Sequence, residues 1–274
     1  ETDTPNFTAK SKIQNRMTVL LINVVAGCAG SGKTAWIHQQ IQDTTVEDKD
    51  IIYFSPGTGN VSIDKNRIAA DFPQIQVFSD NQEADLLKQI PEAKAVYIEL
   101  GFYLDLGSLS ALLNNLPYHP VAVLPRHLKD SEYHAWADEI IRGVPAETNS
   151  SKHLWRVATN TQVIDEYSLE EFWYELTHGA YGKVTRAKAI FDVNDGRSIY
   201  CDFVTGVPQI GFLELNLPRH LEGRPQRFSG IEVAGENLDE TALKQTLSDC
   251  FLSDSLVKQY QQQVKQMLLE GMQV

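Results

Sequence analysis

GCAGSGKT, residues 27–34, matches the pattern G-x-x-x-x-G-K-[ST] of phosphate-binding loops, or P-loops. Glycines let the backbone curl so that successive N–H groups point at phosphate oxygens, and the N-terminus of the following helix adds a partial positive charge. Lys33 would reach the β- and γ-phosphates, and the Thr34 hydroxyl would hold magnesium. The alternative is an ordinary glycine-rich turn between a strand and a helix. The expected nucleotide-binding residues are Gly27, Gly30, Ser31, Gly32, Lys33, Thr34 and Ala35.

The segments around this loop predict an α/β fold. MTVLLINVVA, residues 17–26, is apolar and β-branched, as in a central parallel strand buried on both faces. A helix is expected from about residue 33 to 42. Helix-like stretches at 81–90, 107–115 and 131–142 then alternate with short apolar runs, which predicts a mostly parallel sheet covered on both sides. The apolar runs are at 51–55, 75–79, 95–100, 121–125 and 154–159.

The pattern changes after about residue 165. Residues 184–206 predict a hairpin around the turn NDG, and a strand at IEVAG precedes two amphipathic helices with acidic first turns. We therefore predict a flexible N-terminal tail at 1–16, a P-loop nucleotide-binding domain at 17–168 and a smaller α+β domain at 169–274.

Two carboxylates are candidates for a hydrolysis site. AVYIEL is apolar up to Glu99, which places that acid at the carboxyl end of a strand beside the P-loop, where it would order magnesium or the attacking water. Asp64 is the first carboxylate of SPGTGNVSID, a segment placed to reach the γ-phosphate. The alternatives are a strand-end glutamate exposed to water and a plain surface turn ending in an aspartate cap. Lys33, Glu99 and Asp64 are the candidate catalytic residues, and Thr34 and Glu99 the candidate magnesium ligands.

Composition narrows the functional classes. The chain has 274 residues and a formal charge of −12, and its basic residues form no strip with aromatic ones, which disfavours nucleic-acid binding. No apolar run approaches the length of a membrane helix, so membrane insertion is not expected. Three distant cysteines predict a reducing, cytoplasmic setting. The seven histidines show no metal-binding spacing.

Taken together, these segments resemble the CobW family of the CobW/HypB/UreG class of P-loop GTPases, which is tied to metal-cofactor assembly. GCAGSGKT stands at the family's P-loop, GNVSID resembles its G-x-V-x-I-D segment, and YIELG stands at its strand ending in E-x-x-G. VTRAKAIFDVNDG and RFSGIEVAGENLDETALKQTLSDCFL are similar to the CobW C-terminal domain. The resemblance implies that the chain binds GTP with Mg²⁺. By the same resemblance, it would also bind a transition metal such as Zn²⁺ or Co²⁺.

The chain also departs from this family. No cysteine lies between Asp64 and Glu99, where family members carry C-x-C-C, so soft-metal binding there is excluded by composition. Gly101 follows Glu99 after one residue, whereas the family's E-x-x-G has two residues between the glutamate and the glycine. The guanine-reading N-K-x-D is missing from TNTQVID, which has Asn160 but no lysine after it. GTP rather than ATP is thus implied by the resemblance alone.

Two functional hypotheses follow. The first is a slow GTP-hydrolysing protein that acts in the delivery or assembly of a metal or a metal-containing cofactor. The second is a non-catalytic nucleotide-binding factor that docks a client protein through its C-terminal domain. Neither hypothesis identifies the client protein or decides whether the chain forms a homo-oligomer.

Overall fold

The computed structural model describes five stretches of the chain, and the predicted tail at 1–16 lies outside them. They are residues 20–44, 50–113, 116–146, 153–209 and 211–271. In this part of the chain, no helix has the length and apolar character needed to cross a bilayer.

The first half of the chain alternates strands and helices as predicted. Its elements are β1 (Leu21–Ala26), α1 (Lys33–Asp43), β2 (Ile51–Phe54), α2 (Ile63–Asp71), β3 (Gln76–Phe78), α3 (Glu83–Gln89), β4 (Ala95–Glu99), α4 (Leu109–Leu112), β5 (His119–Pro125), α5 (Glu132–Trp136) and β6 (Glu139–Gly143). The six strands form a parallel sheet in the order β3-β2-β4-β1-β5-β6.

Both faces of this sheet are covered. Alternate strand residues point to opposite faces of the sheet. Val24 therefore packs on the face covered by α3 and α4, and Val25 packs on the face covered by α1 and α2. The carboxyl ends of β1 and β4 lie side by side, and this edge carries the loop between β1 and α1. The α/β fold class and the central position of β1 are therefore confirmed.

Two sequence-based assignments in this half were wrong. Residues 131–142 form only the short helix α5 and then β6, because the β-branched pair Ile140–Ile141 extends the sheet beside β5. The run at 154–159 was assigned to the nucleotide-binding domain's sheet, but as β7 (His153–Ala158) it pairs with a strand of the second sheet. The second sheet therefore begins well before residue 168, the predicted end of the first domain.

The second half contains a smaller α+β unit. Its elements are β7, β8 (Val163–Ile164), α6 (Glu166–Thr177), β9 (Lys183–Val193), β10 (Ser198–Val204), β11 (Leu213–Glu214), β12 (Gly230–Glu236), α7 (Glu240–Asp249) and α8 (Asp254–Leu269). The strand order is β11-β10-β9-β12-β7 with antiparallel pairing, and β8 adds a short parallel pair to β9. The predicted hairpin is β9–β10, and Gly196 of its NDG turn has a φ of +87°, which glycine adopts without strain.

The two faces of the second sheet have different partners. Phe191 of β9 and Val233 of β12 point to one face and pack with α6 and α7 in the unit's own core. The opposite face carries Ile190 and Tyr200, which form an apolar cluster with Val61, Ile63, Ala70 and Leu215. Because Ile63 and Ala70 belong to α2, this second face docks directly onto the first domain.

The helical core of the second unit gives a test of stability with a matched control. Leu243 of α7 is fully buried and Leu269 at the end of α8 is 89% exposed. We expect Leu243→Ala to lower the free energy of unfolding by about 2–5 kcal/mol, because it removes buried methyl groups and leaves a cavity. Leu269→Ala should change it by less than about 0.5 kcal/mol. Urea denaturation followed by circular dichroism measures both, and equal effects would contradict this packing.

Candidate functional site

The loop between β1 and α1 is held tightly against the sheet. Gly27 has a φ of +143°, and a Cβ at this position would overlap the backbone oxygen of Val123 on β5. A side chain is therefore excluded where the loop leaves β1. At the other end, Gly32 is the N-cap residue of α1 with a φ of +102°, and no side chain caps the helix. The N-terminus of α1 thus retains its partial positive charge beside the loop.

Lys33 folds back over this loop. Its ammonium group donates to the backbone oxygens of Gly27 at 3.0 Å and Cys28 at 2.9 Å. Burial lowers the pKa of Lys33 from 10.5 to about 8, although the Glu99 carboxylate nearby favours the charged form. An anion entering the loop would meet a desolvated ammonium group whose present acceptors are only carbonyl dipoles.

Glu99 lies directly under the start of α1. The parallel pairing of β1 with β4 places Val25 opposite Glu99, two residues before the loop begins at Gly27. Thr34 Oγ1 donates to Glu99 Oε1 at 2.7 Å, and Tyr53 OH donates to Oε2 at 2.8 Å. Glu99 is only 3% exposed, so the alternative of an exposed strand-end glutamate was wrong. Burial, and then the nearby charge of Asp64, raise the pKa of this carboxyl group.

Asp64 is not a surface cap. It stands in the first turn of α2, and its Oδ2 accepts from the ammonium group of Lys188 at 2.5 Å. The two side chains are 16% and 13% exposed. Burial opposes ionisation of Asp64, but the charge and hydrogen bond of Lys188 together with the charge of Arg186 outweigh it and lower the pKa of the carboxyl group. The ion pair joins the first domain to β9 of the second.

Several residues of the second sheet line the cleft around the P-loop. Arg186, Lys188, Tyr200 and Asp202 share this cleft with Lys33, Thr34 and Glu99. Val204 at the end of β10 fills the space beside Gly30, where a Cβ would lie 2.6 Å from Val204 Cγ1. None of these second-domain residues was among the predicted site residues. The alternation in VTRAKA, which puts Arg186 and Lys188 on one face of a strand, was the available signal.

Arg156 of β7 contacts two loops that border the site. Its guanidinium donates to the backbone oxygen of Gly57 at 3.0 Å, in the loop after β2. The same group lies over the ring of Tyr103, 4.4 Å from the centroid, in the loop after β4. Glu232 of β12 pairs with Arg156 at 2.7 Å. The second sheet therefore contacts the loops that follow β2 and β4.

The end of β6 contacts the P-loop, whereas TNTQVID, the segment that lacks N-K-x-D, follows the start of the second sheet. Gly143 packs against the backbone oxygen of Ser31, and the Val144 amide donates to that oxygen at 3.1 Å. The described residues here are Gly143, which ends β6, and then Val144, Pro145 and Ala146, and none of these four carries a carboxylate. Asn160 instead accepts from the Ser229 amide, and Asp165 caps α6.

The oxygens beneath the P-loop suit a hard divalent cation. Thr34 and Glu99 supply a hydroxyl and a carboxylate, the ligand types that Mg²⁺ prefers. Within the described ranges, Ser31 Oγ and Asp64 Oδ1 are buried polar atoms without a hydrogen-bond partner. No group of three or more His, Cys, Asp and Glu side chains in these ranges could hold a metal ion. Cys28 packs with Ala122 and Leu124, and burial raises the pKa of its thiol.

No family model and no curated protein matches the chain. Two solved structures are similar to it: zinc-bound YjiA GTPase from E. coli, and a zinc-bound triple mutant of YjiA GTPase. Each is 13% identical over 84% of this chain and 98% of that chain, with a TM-score of 0.29. At this identity and TM-score, the matches assign neither a fold nor an activity to the chain.

Proposed function

We propose that the chain is a P-loop nucleoside triphosphatase that hydrolyses its nucleotide slowly and couples nucleotide state to its second domain. The observation that carries this proposal is the hydrogen bond from Thr34 to Glu99 directly beneath the P-loop. A phosphate-binding loop alone supports binding. The buried carboxylate beside the magnesium-type hydroxyl adds a group that can act on the terminal phosphate.

Each residue at the site has a separate role in the proposed reaction. Lys33 binds the β- and γ-phosphates and offsets the charge that develops on them. Glu99 orients the attacking water, whose oxygen bonds to the terminal phosphorus while the bond to the leaving diphosphate breaks. Tyr53 fixes the Glu99 carboxylate through its hydrogen bond. Asp64 contacts the region of the terminal phosphate from the start of α2.

Thr34 would hold Mg²⁺ directly with the nucleotide, and Glu99 would reach the cation through a water. Their oxygens fit this cation, and the unpaired Asp64 Oδ1 offers a third, through water. The bound cation supplies positive charge that neutralises the phosphates. Lys33 and the amides of the loop hold the remaining phosphate oxygens.

GTP is the proposed nucleotide on the basis of the CobW resemblance. Val144, Pro145 and Ala146, the described residues after β6, carry no carboxylate that could accept two hydrogen bonds from guanine, and Glu147 follows them in the sequence. Titration with both GTP and ATP is the direct comparison.

Delivery or assembly of a metal or metal-containing cofactor is the role that the resemblance suggests. A second candidate is a non-catalytic factor that binds nucleotide and docks a client protein. The close seating of the second sheet on the P-loop supports it, because nucleotide binding would then alter an interdomain contact without any turnover. Measuring nucleotide turnover by the wild-type protein distinguishes the triphosphatase from the non-catalytic factor.

Substitutions at Lys33 and Glu99 test the proposed triphosphatase. We expect Lys33→Ala to weaken binding of GTP by about 100-fold or more, because it removes the charge-assisted contact to phosphate. Glu99→Gln keeps the shape of the side chain but not its charge, so it should lower turnover by about 10²–10³-fold with a smaller change in affinity. Calorimetric titration measures binding, and phosphate release measures turnover.

Two control variants accompany them. Lys88→Ala removes an exposed lysine of α3 and should match the wild-type protein in binding and turnover. Tyr53→Phe removes one hydrogen bond to Glu99 but keeps its carboxylate, so its turnover should fall less than that of Glu99→Gln. Unchanged hydrolysis in both Lys33→Ala and Glu99→Gln would rule out this site as the centre of activity. Binding without turnover in the wild-type protein would favour the non-catalytic factor.

The low pKa of Lys33 predicts a pH dependence of binding. Because burial lowers this pKa to about 8, the ligand-free ammonium loses its proton above that pH. Bound phosphate favours the charged form, so binding takes up a proton there, and affinity should fall by up to about tenfold per pH unit above about pH 8. Titrations between about pH 7 and 10, in buffers of different ionisation enthalpy, measure both the affinity and the proton uptake.

The same pKa sets the sign of a stability effect in the ligand-free protein. Unfolded chains keep this proton up to about pH 10.5, whereas the folded protein releases it at about pH 8. Burying the charge therefore costs stability below about pH 8, and this cost disappears as the pH rises toward 10.5. Lys33→Met should lack this rise in urea denaturation. A wild-type affinity that stays flat across this range would contradict the predicted pKa.

A further inference from the structure

The second sheet turns two buried cations toward the P-loop. Arg186 and Lys188 lie two residues apart on β9, on the sheet face that docks onto the first domain. Both line the same cleft as Lys33, Thr34 and Glu99. Their side chains are 7% and 13% exposed, so their charges are largely removed from water.

The two cations are held in different ways. Arg186 pairs with Asp202 of the neighbouring strand and donates to the Phe203 backbone oxygen at 2.6 Å. All of these groups belong to the β9–β10 hairpin, so Arg186 is fixed within its own domain. Lys188 has its partner across the interface, because Asp64 belongs to α2. One oxygen of that carboxylate accepts from Lys188, while the other is buried without a partner in the described part of the chain.

Lys188 and Lys33 also act on one another. The charge of Lys188 is among the causes that lower the pKa of Lys33, after burial, and Asp64 is the main group that keeps Lys188 charged. Two ammonium groups that share a buried cleft repel each other. An anion placed between them would remove that repulsion and gain a charge-assisted contact to each.

We propose that Lys188 is a phosphate-binding residue of the P-loop site, supplied by the second domain of the same chain. The terminal phosphate of a nucleoside triphosphate is then held between Lys33 and Lys188, and a diphosphate reaches Lys33 alone. This inference rests on the proposed nucleotide site. It assigns to the second domain the discrimination between triphosphate and diphosphate.

The alternative is that Lys188 only fastens the two domains together through Asp64. The pair of variants Asp64→Asn and Asp64→Asn/Lys188→Met separates the two roles, because both lack the interdomain ion pair and they differ only at residue 188. The double variant leaves neither charge of the pair buried alone, which protects its folding. Lys183→Met is the matched control, since Lys183 starts the same strand and its side chain is 58% exposed.

The experiment measures dissociation constants for a non-hydrolysable GTP analogue and for GDP, both with Mg²⁺, by calorimetry. Relative to Asp64→Asn, the double variant should bind the triphosphate about 10- to 100-fold more weakly, with GDP changed by less than about 3-fold. Lys188→Arg should keep the preference for triphosphate, because it keeps a cation at that place. Lys183→Met should match the wild-type protein.

Equal triphosphate affinity in Asp64→Asn and the double variant would overturn the proposal and leave Lys188 as an interdomain contact. The same holds if the two variants lose GDP and triphosphate in equal proportion. If the wild-type protein binds neither ligand, the nucleotide site itself fails. If it binds both and residue 188 has no effect, only the assignment of Lys188 fails. If circular dichroism shows that the double variant is unfolded, Lys188→Arg becomes the deciding variant. A folded Lys188→Arg protein that has lost the preference for triphosphate overturns the proposal.

Discussion

A charge that is taken out of water must be paired, and this requirement organises the region around Glu99. Glu99 lies at the carboxyl end of β4, almost completely buried, with a hydroxyl from α1 and another from β2 as its hydrogen-bond partners. Five further charges stand around it. The acids are Asp64 and Asp202, whose side chain is 38% exposed, and the bases are the largely buried Lys33, Lys188 and Arg186.

Three of these six groups come from the second sheet. Without them Asp64 would lack its cation, and the P-loop cleft would be open where Val204 and the β9–β10 hairpin now cover it. Buried ion pairs contribute little net stability, since desolvation offsets most of the Coulomb attraction, but a broken pair is costly. The arrangement therefore favours one docking position of the second sheet over others. It also makes that position sensitive to any new charge, such as a phosphate, that enters the cleft.

The parts of this site that the sequence predicted are those determined by local patterns. The P-loop, the buried strand before it and Glu99 at a strand end each depend on about ten consecutive residues. Lys188 and Asp64 are 124 positions apart, and no spacing rule connects them. The same limit explains why β7 was assigned to the wrong sheet. LWRVAT has the composition of a strand in either sheet, and only its pairing with β12 shows which sheet it joins. It also explains Tyr53, a strand residue whose hydroxyl matters only because β2 lies beside β4.

Arg156 extends this dependence to the loops after β2 and β4, which border the cleft. The loop after β2 is tied at Gly57 and Gly59 by the Asp80 carboxylate, and Gly57 also accepts a hydrogen bond from Arg156. The loop after β4 places Tyr103 under the same guanidinium. A movement of either loop toward a bound phosphate would have to break or shift a contact with β7, whose Arg156 is in turn fixed by Glu232. Since β7, β9 and β12 belong to one sheet, such a shift acts on the same sheet that carries Lys188. The contacts of Arg156 and of Lys188 therefore connect the P-loop cleft to the second domain at two separate points, one through the loops and one through the ion pair with Asp64.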